Sequence, residues 1–336
     1  MLISVRRWWR NDLSLKRRKF YLYSLFFVIV FLFVTNFDWF SVAFNETIIY
    51  DRENSWCPRC GPDAFVPAHL VKDLQLYINK PDACAIDHQA IALVLVTSAP
   101  HNVDRRNWIR KTWIRPLKTL NFVVLFSIGY SETESMLVYR ENEQYKDIIQ
   151  WTFHDSWRNL TLKSIANILW FEEHCSNAEF LIKVDDDAVI NARALHNSLQ
   201  PLIGTRSLSG KLLTHNSPCF QWWKQRHCMP KEDHSKLNFI EFYPPYPAGP
   251  MYVISKEAAL LLSEIMRKTE NLHVYFLEDV FITILAKDLN VSIIDQPRFR
   301  FCQYLYSRDF EEKVMSAIVA YDCTLKQMNT IWKMIK

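Results

Sequence analysis

Four short apolar runs, separated by polar or amphipathic stretches, set the rhythm of the chain from Ile91 onward. Ile91–Thr97 (IALVLVT), Asn121–Ile128 (NFVVLFSI), Ile148–Trp151 and Phe180–Val184 (FLIKV) are continuous rather than alternating. That is the pattern of strands covered on both faces. Between them, Arg105–Trp113, Glu134–Gln144 and Leu160–His174 read as helices. In the last, Leu162, Ile165, Ile168 and Leu169 recur on one helical face, and Asn159 stands where an N-cap belongs. Strand–helix alternation predicts a mainly parallel α/β sheet, which binds ligands beyond the carboxyl ends of its strands. The chain contains no internal repeat and no low-complexity segment.

The pattern differs upstream. Residues 36–88 carry Pro58, Pro62, Pro67 and Pro81 and show little periodicity, as in a stem. Phe20–Thr35 (FYLYSLFFVIVFLFVT) has no charge, Pro or Gly, and the apolar run resumes at Phe37, Trp39 and Phe40. A helix that crosses a bilayer needs about 20 such residues. Lys16-Arg17-Arg18-Lys19 abuts this segment, which predicts a cytoplasmic N-terminus and a lumenal remainder. A cleaved signal peptide is the competing reading, but no small-x-small site closely follows Thr35. The expected organisation is a tail over 1–19, a signal-anchor helix over 20–40, a stem over 41–89 and a catalytic domain over 90–336.

Composition narrows the function. Five glycines in 336 residues exclude a collagen-like chain and a glycine-looped dinucleotide binder. The net charge of +4 comes from the basic residues before Phe20, so it reports topology rather than a nucleic-acid partner. All eight cysteines follow the apolar segment, as expected of disulfides in an oxidising lumen. Sequons at Asn45, Asn159 and Asn290 fit the same route.

Two acidic clusters carry candidate chemistry. Lys183-Val-Asp185-Asp186-Asp187 follows a strand directly, at the ligand-binding edge. Three consecutive carboxylates repel one another unless a cation or hydrogen-bond donors offset them, and an Asp-x-Asp turn can aim oxygens at a hard divalent ion. A solvated acidic turn is the plainer alternative. Glu278-Asp279 opens a helix expected over Asp279–Leu289. It reads either as dipole complementation or as a general base. Arg105, Arg106 and Arg110 lie on the first helix after the first strand, where basic groups suit a diphosphate. Tyr243-Pro-Pro-Tyr246-Pro-Ala-Gly249-Pro-Met-Tyr252 is either a rigid wall for sugar faces or a buried proline-rich turn. Trp222 and Trp223, between Cys219 and Cys228, offer a second aromatic platform.

In this order and spacing the segments resemble the family 31 glycosyltransferases, the β-1,3-galactosyl- and N-acetylglucosaminyltransferases of the Golgi. The matching pieces are Arg106-Asn-Trp-Ile-Arg110-Lys-Thr112-Trp113, Asp155-Ser-Trp157-Arg-Asn159-Leu-Thr-Leu-Lys163, Lys183 to Asp187 with Asn191, Tyr243 to Tyr246 with Gly249, and Leu277-Glu278-Asp279-Val280. Met328-Asn-Thr-Ile-Trp332 is similar to the family's closing helix. The resemblance implies a GT-A type, Rossmann-like fold, a UDP-sugar donor, a manganese ion and inversion at the anomeric carbon. It implies Asp279 as catalytic base and Asp187 with Asp185 as metal ligands. It places Thr97, Ser98, Arg106, Arg110, Asp185 and Asp186 near the donor, and Trp222, Trp223, Tyr246, Gly249 and Glu278 near the acceptor sugar. The implied location is the Golgi membrane, single-pass type II, with homo- or hetero-oligomers among Golgi transferases as partners. The expected reaction is transfer of galactose to a glycan hydroxyl on protein or lipid in β-1,3 linkage. The alternatives are N-acetylhexosaminyl transfer and a non-catalytic member that binds glycans or enzymes. Three positions depart from the family: Tyr321 stands in the place of a histidine, Thr283 of a glycine and Pro247 of a cysteine.

Overall fold

The structure is a computed structural model that describes residues 65–67, 74–85, 90–214, 243–269, 271–273, 277–305 and 309–336. The anchor segment 20–40, most of the stem, Trp222, Trp223, Asn45 and the cysteines at 57, 60, 219 and 228 lie outside the described residues. Among the described residues, no helix is long and apolar enough to cross a membrane.

The strands are β1 (Phe65–Pro67), β2 (Leu76–Ile78), β3 (Ala92–Thr97), β4 (Phe122–Tyr130), β5 (Ile148–His154), β6 (Phe180–Asp185), β7 (Val189–Ile190), β8 (Ser207–Leu213), β9 (Tyr246–Ser255), β10 (Asn271–His273), β11 (Ser292–Asp295), β12 (Phe299–Phe301) and β13 (Val319–Tyr321). The helices are α1 (Val103–Lys111), α2 (Ile114–Thr119), α3 (Ser135–Tyr145), α4 (Leu160–His174), α5 (Ala192–Leu199), α6 (Lys256–Lys268), α7 (Glu278–Asp288), α8 (Cys302–Leu305), α9 (Phe310–Ser316) and α10 (Leu325–Ile335). The four predicted strands and the helices that follow them are present, with ends shifted by a few residues.

Eight strands form the main sheet in the order β11-β8-β9-β6-β3-β4-β5-β2. β3 pairs in parallel with β4 and β6, while β9 runs antiparallel to β6 and β8. β2 adds an antiparallel edge next to β5, ahead of the expected start at Ile91. β12, β13 and β7 make a small second sheet, and β1 pairs with β10. Every residue of β3 is buried, and its side chains alternate between two cores. Ala92, Val94 and Val96 join Ile109, Trp113 and Leu195 on one face, whereas Leu93 and Leu95 join α4, α6 and α7 on the other. Full burial of each such aliphatic side chain stabilises by roughly 1.5–3 kcal/mol. This two-sided cover is why the run is unbroken in sequence.

α4 is buried almost all round, including the polar Lys163, Ser164 and Asn167. Asn159 does not cap it through its side chain. Its amide instead donates to His154 O at 2.8 Å, and Ser156 caps the preceding turn. Disulfides Cys84–Cys175 and Cys302–Cys323 tie the segment before β3 to the end of α4, and α8 to the end of β13.

Candidate active site

The parallel strands β3 and β6 end in register, Thr97 opposite Asp185, while β4 runs on from Ser127 opposite Thr97 to Tyr130. At this edge the chain turns through Asp185-Asp186-Asp187 before entering β7. The three carboxylates take different surroundings. Asp186 is locked inward: its Oδ2 accepts from Ser98 Oγ at 2.6 Å and Asn102 Nδ2 at 2.9 Å, and its Oδ1 from Arg105 Nη1 at 2.9 Å. Asp185 pairs through Oδ1 with Lys183 Nζ at 2.7 Å. Asp187 Oδ1 accepts from Asp322 N at 3.2 Å, and its Oδ2 lies 3.5 Å from Arg105 Nη1.

The second acidic cluster comes to the same edge because β9 outruns β6. β6 pairs with β9 only as far as Met251, so the backbone of Gly249 has no β6 partner. Its N–H donates to Asp279 Oδ2 at 3.0 Å, and its carbonyl accepts from Lys183. A Cβ at Gly249 would lie 3.1 Å from Asp279 Oδ2 and 3.3 Å from Glu278 Oε1. The glycine therefore makes room for carboxylates. Glu278, expected near the acceptor, is itself buried: Oε1 meets Lys183 Nζ at 3.1 Å, and Oε2 accepts from Tyr252 OH at 2.7 Å and Ser164 Oγ at 3.1 Å. Its carboxylate is turned into the fold and supports the residue beside it. Tyr246 and Tyr243 pack edge-to-face at 6.2 Å and join Val280 in a small apolar cluster, and from Tyr246 onward the proline-rich segment is strand β9 rather than a turn.

Burial lifts the Asp279 pKa to about 7, and the charge of Glu278 adds to the effect. Burial likewise lifts Asp185 to about 7, partly opposed by Lys183, while neighbouring Asp187 pushes it further up. Asp187 is raised by burial and by Asp186. Burial alone would lower the Lys183 pKa, but Asp185 and Glu278 outweigh it and keep the ammonium charged. Burial also raises the Tyr252 hydroxyl, which therefore stays protonated as a donor to Glu278.

Arg106 and Arg110, expected at the diphosphate, spend their donors inside the fold. Arg106 is fully buried, bidentate on Glu141 at 2.9 and 2.7 Å, and bonded to Ser98 Oγ, Ala99 O and Pro100 O. Arg110 is bidentate on Asp147 at 2.8 Å and lies over the Phe126 and Tyr145 rings. The arginine beside the acidic triplet is Arg105. Ser98 bridges Asp186 and Arg106, and the Thr97 hydroxyl is buried without a hydrogen-bond partner. Lys163 holds the same strand end from behind, at 2.7 Å from Asp155 and 3.3 Å from Ser98 O. Asn191 caps α5 by accepting from Ala194 N at 3.1 Å.

Five carboxylates (Asp185, Asp186, Asp187, Glu278 and Asp279) thus surround two cations, Lys183 and Arg105. Asp185 and Asp187 are raised mainly by burial, with neighbouring carboxylates adding to it, and hard oxygen donors of this kind fit a divalent cation. Among the described residues, no group of three or more His, Cys, Asp or Glu side chains is arranged so as to hold a metal ion. Tyr321, at the family's histidine position, is fully buried and edge-on to Phe301 at 4.6 Å. Burial raises its pKa, so it stays a neutral hydroxyl.

The roles of Lys183, Ser164, Tyr252, Asn102 and Glu141 were not read from the sequence. One signal was available: Lys163, Ser164 and Asn167 interrupt an otherwise apolar helix that lies against a parallel sheet. Buried polar side chains of that kind need partners.

Known proteins resemble this chain in sequence. The chain is 32% identical over 247 residues to a lactosylceramide 1,3-N-acetyl-β-D-glucosaminyltransferase of Xenopus tropicalis, covering 70% of this chain and 62% of that protein. It is 31% identical over 237 residues to the Homo sapiens protein of the same name, covering 65% and 59%. It is 28% identical over 261 residues to N-acetyllactosaminide β-1,3-N-acetylglucosaminyltransferase 2 of Homo sapiens, covering 74% and 62%. The matches thus span about six-tenths of these relatives' length. The galactosyltransferase family model matches residues 104–297, from the first turn of α1 to just past β11, and so takes in both acidic clusters. The chain belongs to that family, glycosyltransferase family 31.

Proposed function

We propose that this protein is an inverting β-1,3-N-acetylglucosaminyltransferase of GT-A type, using UDP-N-acetylglucosamine and an acceptor of the lactosyl or lactosaminide class. The names of the relatives support this donor over the galactose expected from the sequence. The observation that carries the reading is the joining of Asp279 to the Asp185–Asp187 turn through Gly249, Glu278 and Lys183. Asp279 takes the proton of the acceptor hydroxyl as its oxygen bonds to the anomeric carbon, and the bond from that carbon to the UDP oxygen breaks. A pKa near the working pH suits a base. Gly249 N–H fixes one carboxylate oxygen of Asp279. Asp185 and Asp187 would hold a divalent cation such as manganese, which would offset the charge on the departing UDP when bound.

The test is transfer from UDP-N-acetylglucosamine, UDP-galactose and other UDP-sugars to lactosyl and lactosaminide acceptors in manganese. The expected products are the acceptor extended by a β-1,3-linked N-acetylglucosamine and free UDP, and Asp279→Asn and Asp187→Ala should each lose at least about a hundredfold in kcat. Exclusive galactose transfer would overturn the donor assignment. Unchanged turnover in Asp279→Asn would overturn the base.

The basic cluster before Phe20 and the apolar segment after it support a type II anchor in the Golgi membrane. Protease protection in microsomes, with the C-terminal part resistant, is the expected result.

A further inference from the structure

Arg105 binds two carboxylates unequally. Its Nη1 is 2.9 Å from Asp186 Oδ1 and 3.5 Å from Asp187 Oδ2. Asp186 is held by Ser98 and Asn102 as well, and its side chain is only 6% exposed. Asp187 is 24% exposed and Arg105 31%. The guanidinium is therefore anchored on one side and loosely paired on the other, at the open face of the acidic turn. Among the described residues, the neighbouring Arg106, Arg110, Lys163 and Lys183 are committed to Glu141, to Asp147, to Asp155, and to Asp185 and Glu278 respectively.

We infer that Arg105 competes with a divalent cation for Asp187 and pairs with the donor's diphosphate, so that it couples the binding of the two. This rests on the donor reading above. A positive charge at salt-bridge distance from a ligand oxygen opposes a second cation there. A diphosphate reverses the sign, because its oxygens take guanidinium donors that Asp187 gives up, and charge-assisted bonds of this kind are strong. Asp186 keeps the guanidinium in place during the exchange. Coupling of this kind is reciprocal, so cation and nucleotide each tighten the other.

The experiment measures Mn2+ binding by electron paramagnetic resonance and UDP binding by calorimetry, on the full chain, for wild type, Arg105→Gln and Arg105→Lys. Arg105→Gln should bind Mn2+ alone about threefold more tightly and UDP with saturating Mn2+ about tenfold more weakly. Arg105→Lys should keep the charge and the wild-type Mn2+ affinity while losing part of the UDP affinity, since an ammonium lacks the planar fork. Opposite shifts for the two ligands separate this role from a structural one, which would weaken both. Equal or weaker Mn2+ binding by Arg105→Gln, or unchanged UDP binding, overturns the inference. If Arg105→Gln does not fold, a UDP affinity of Arg105→Lys equal to wild type overturns it. If wild type binds no UDP, the donor reading itself has failed.

Discussion

Gly249 shows how one missing methyl group can place a base. Its N–H and its open Cα side both face Asp279, and an alanine there would press on Asp279 Oδ2 at 3.1 Å. Gly249→Ala should fold with little loss of melting temperature, yet lower kcat by roughly tenfold, because displacements well under 1 Å matter for proton transfer. Comparing thermal melting with steady-state kinetics checks this. The ionisation of Asp279 makes a second prediction. With its pKa raised to about 7, the carboxylate is mostly protonated at lower pH. At saturating metal, kcat/KM should fall about tenfold per pH unit below that value. Stability moves the other way: a carboxylate with a raised folded pKa favours the fold most below its unfolded value near 4 and loses that contribution as pH rises to about 7. A pH–rate profile flat from 5.5 to 7.5 would contradict the assignment.

At the scale of elements, Lys183 fastens β6 to the first turn of α7 and to β9. Gly249 N–H holds Asp279 directly, and the Lys183 ammonium holds the Gly249 carbonyl and the neighbouring Glu278. Lys183→Met removes the cation paired with the buried Glu278 and the partly exposed Asp185 and should destabilise by about 3–5 kcal/mol. Lys183→Met combined with Glu278→Gln should recover a large part of that loss, because a neutral amide can still accept from Tyr252 and Ser164. Denaturant unfolding of the two single variants and the double variant gives the coupling energy, and strict additivity would argue against the shared network.

For the molecule as a whole, the Cys84–Cys175 bridge ties the segment ahead of β3 to the far end of α4 across 91 residues. Closing a loop of that size restricts the unfolded chain by roughly 4.6 kcal/mol. Replacing both cysteines by serine should lower the melting temperature clearly while leaving KM for the donor unchanged, since neither residue belongs to the acidic edge. A change in donor KM would show that the bridge reaches the site.

Much of this was legible in the sequence. Continuous apolar runs declared β3, β4, β5 and β6, because a strand covered on both faces has no polar side to show. Periodicity declared α4, and the acidic residues at the end of FLIKV and the start of α7 marked where ligand chemistry belongs. β9 was hidden, because Pro247 and Pro250 look like a turn and the gap in its pairing with β6 depends on a strand distant in sequence. Arg105, Arg106 and Arg110 look alike on the page. Only packing decided that Arg106 and Arg110 are used up on Glu141 and Asp147 while Arg105 faces the carboxylates. The same holds for the sequons: Asn159 is buried and bonded to His154, whereas Asn290 is exposed in a left-handed turn after α7. Residue type and local period follow from the chain because they depend on near neighbours. The state of a charged or polar group depends on which partners the fold brings within about 3 Å of it, and those come from anywhere in the sequence.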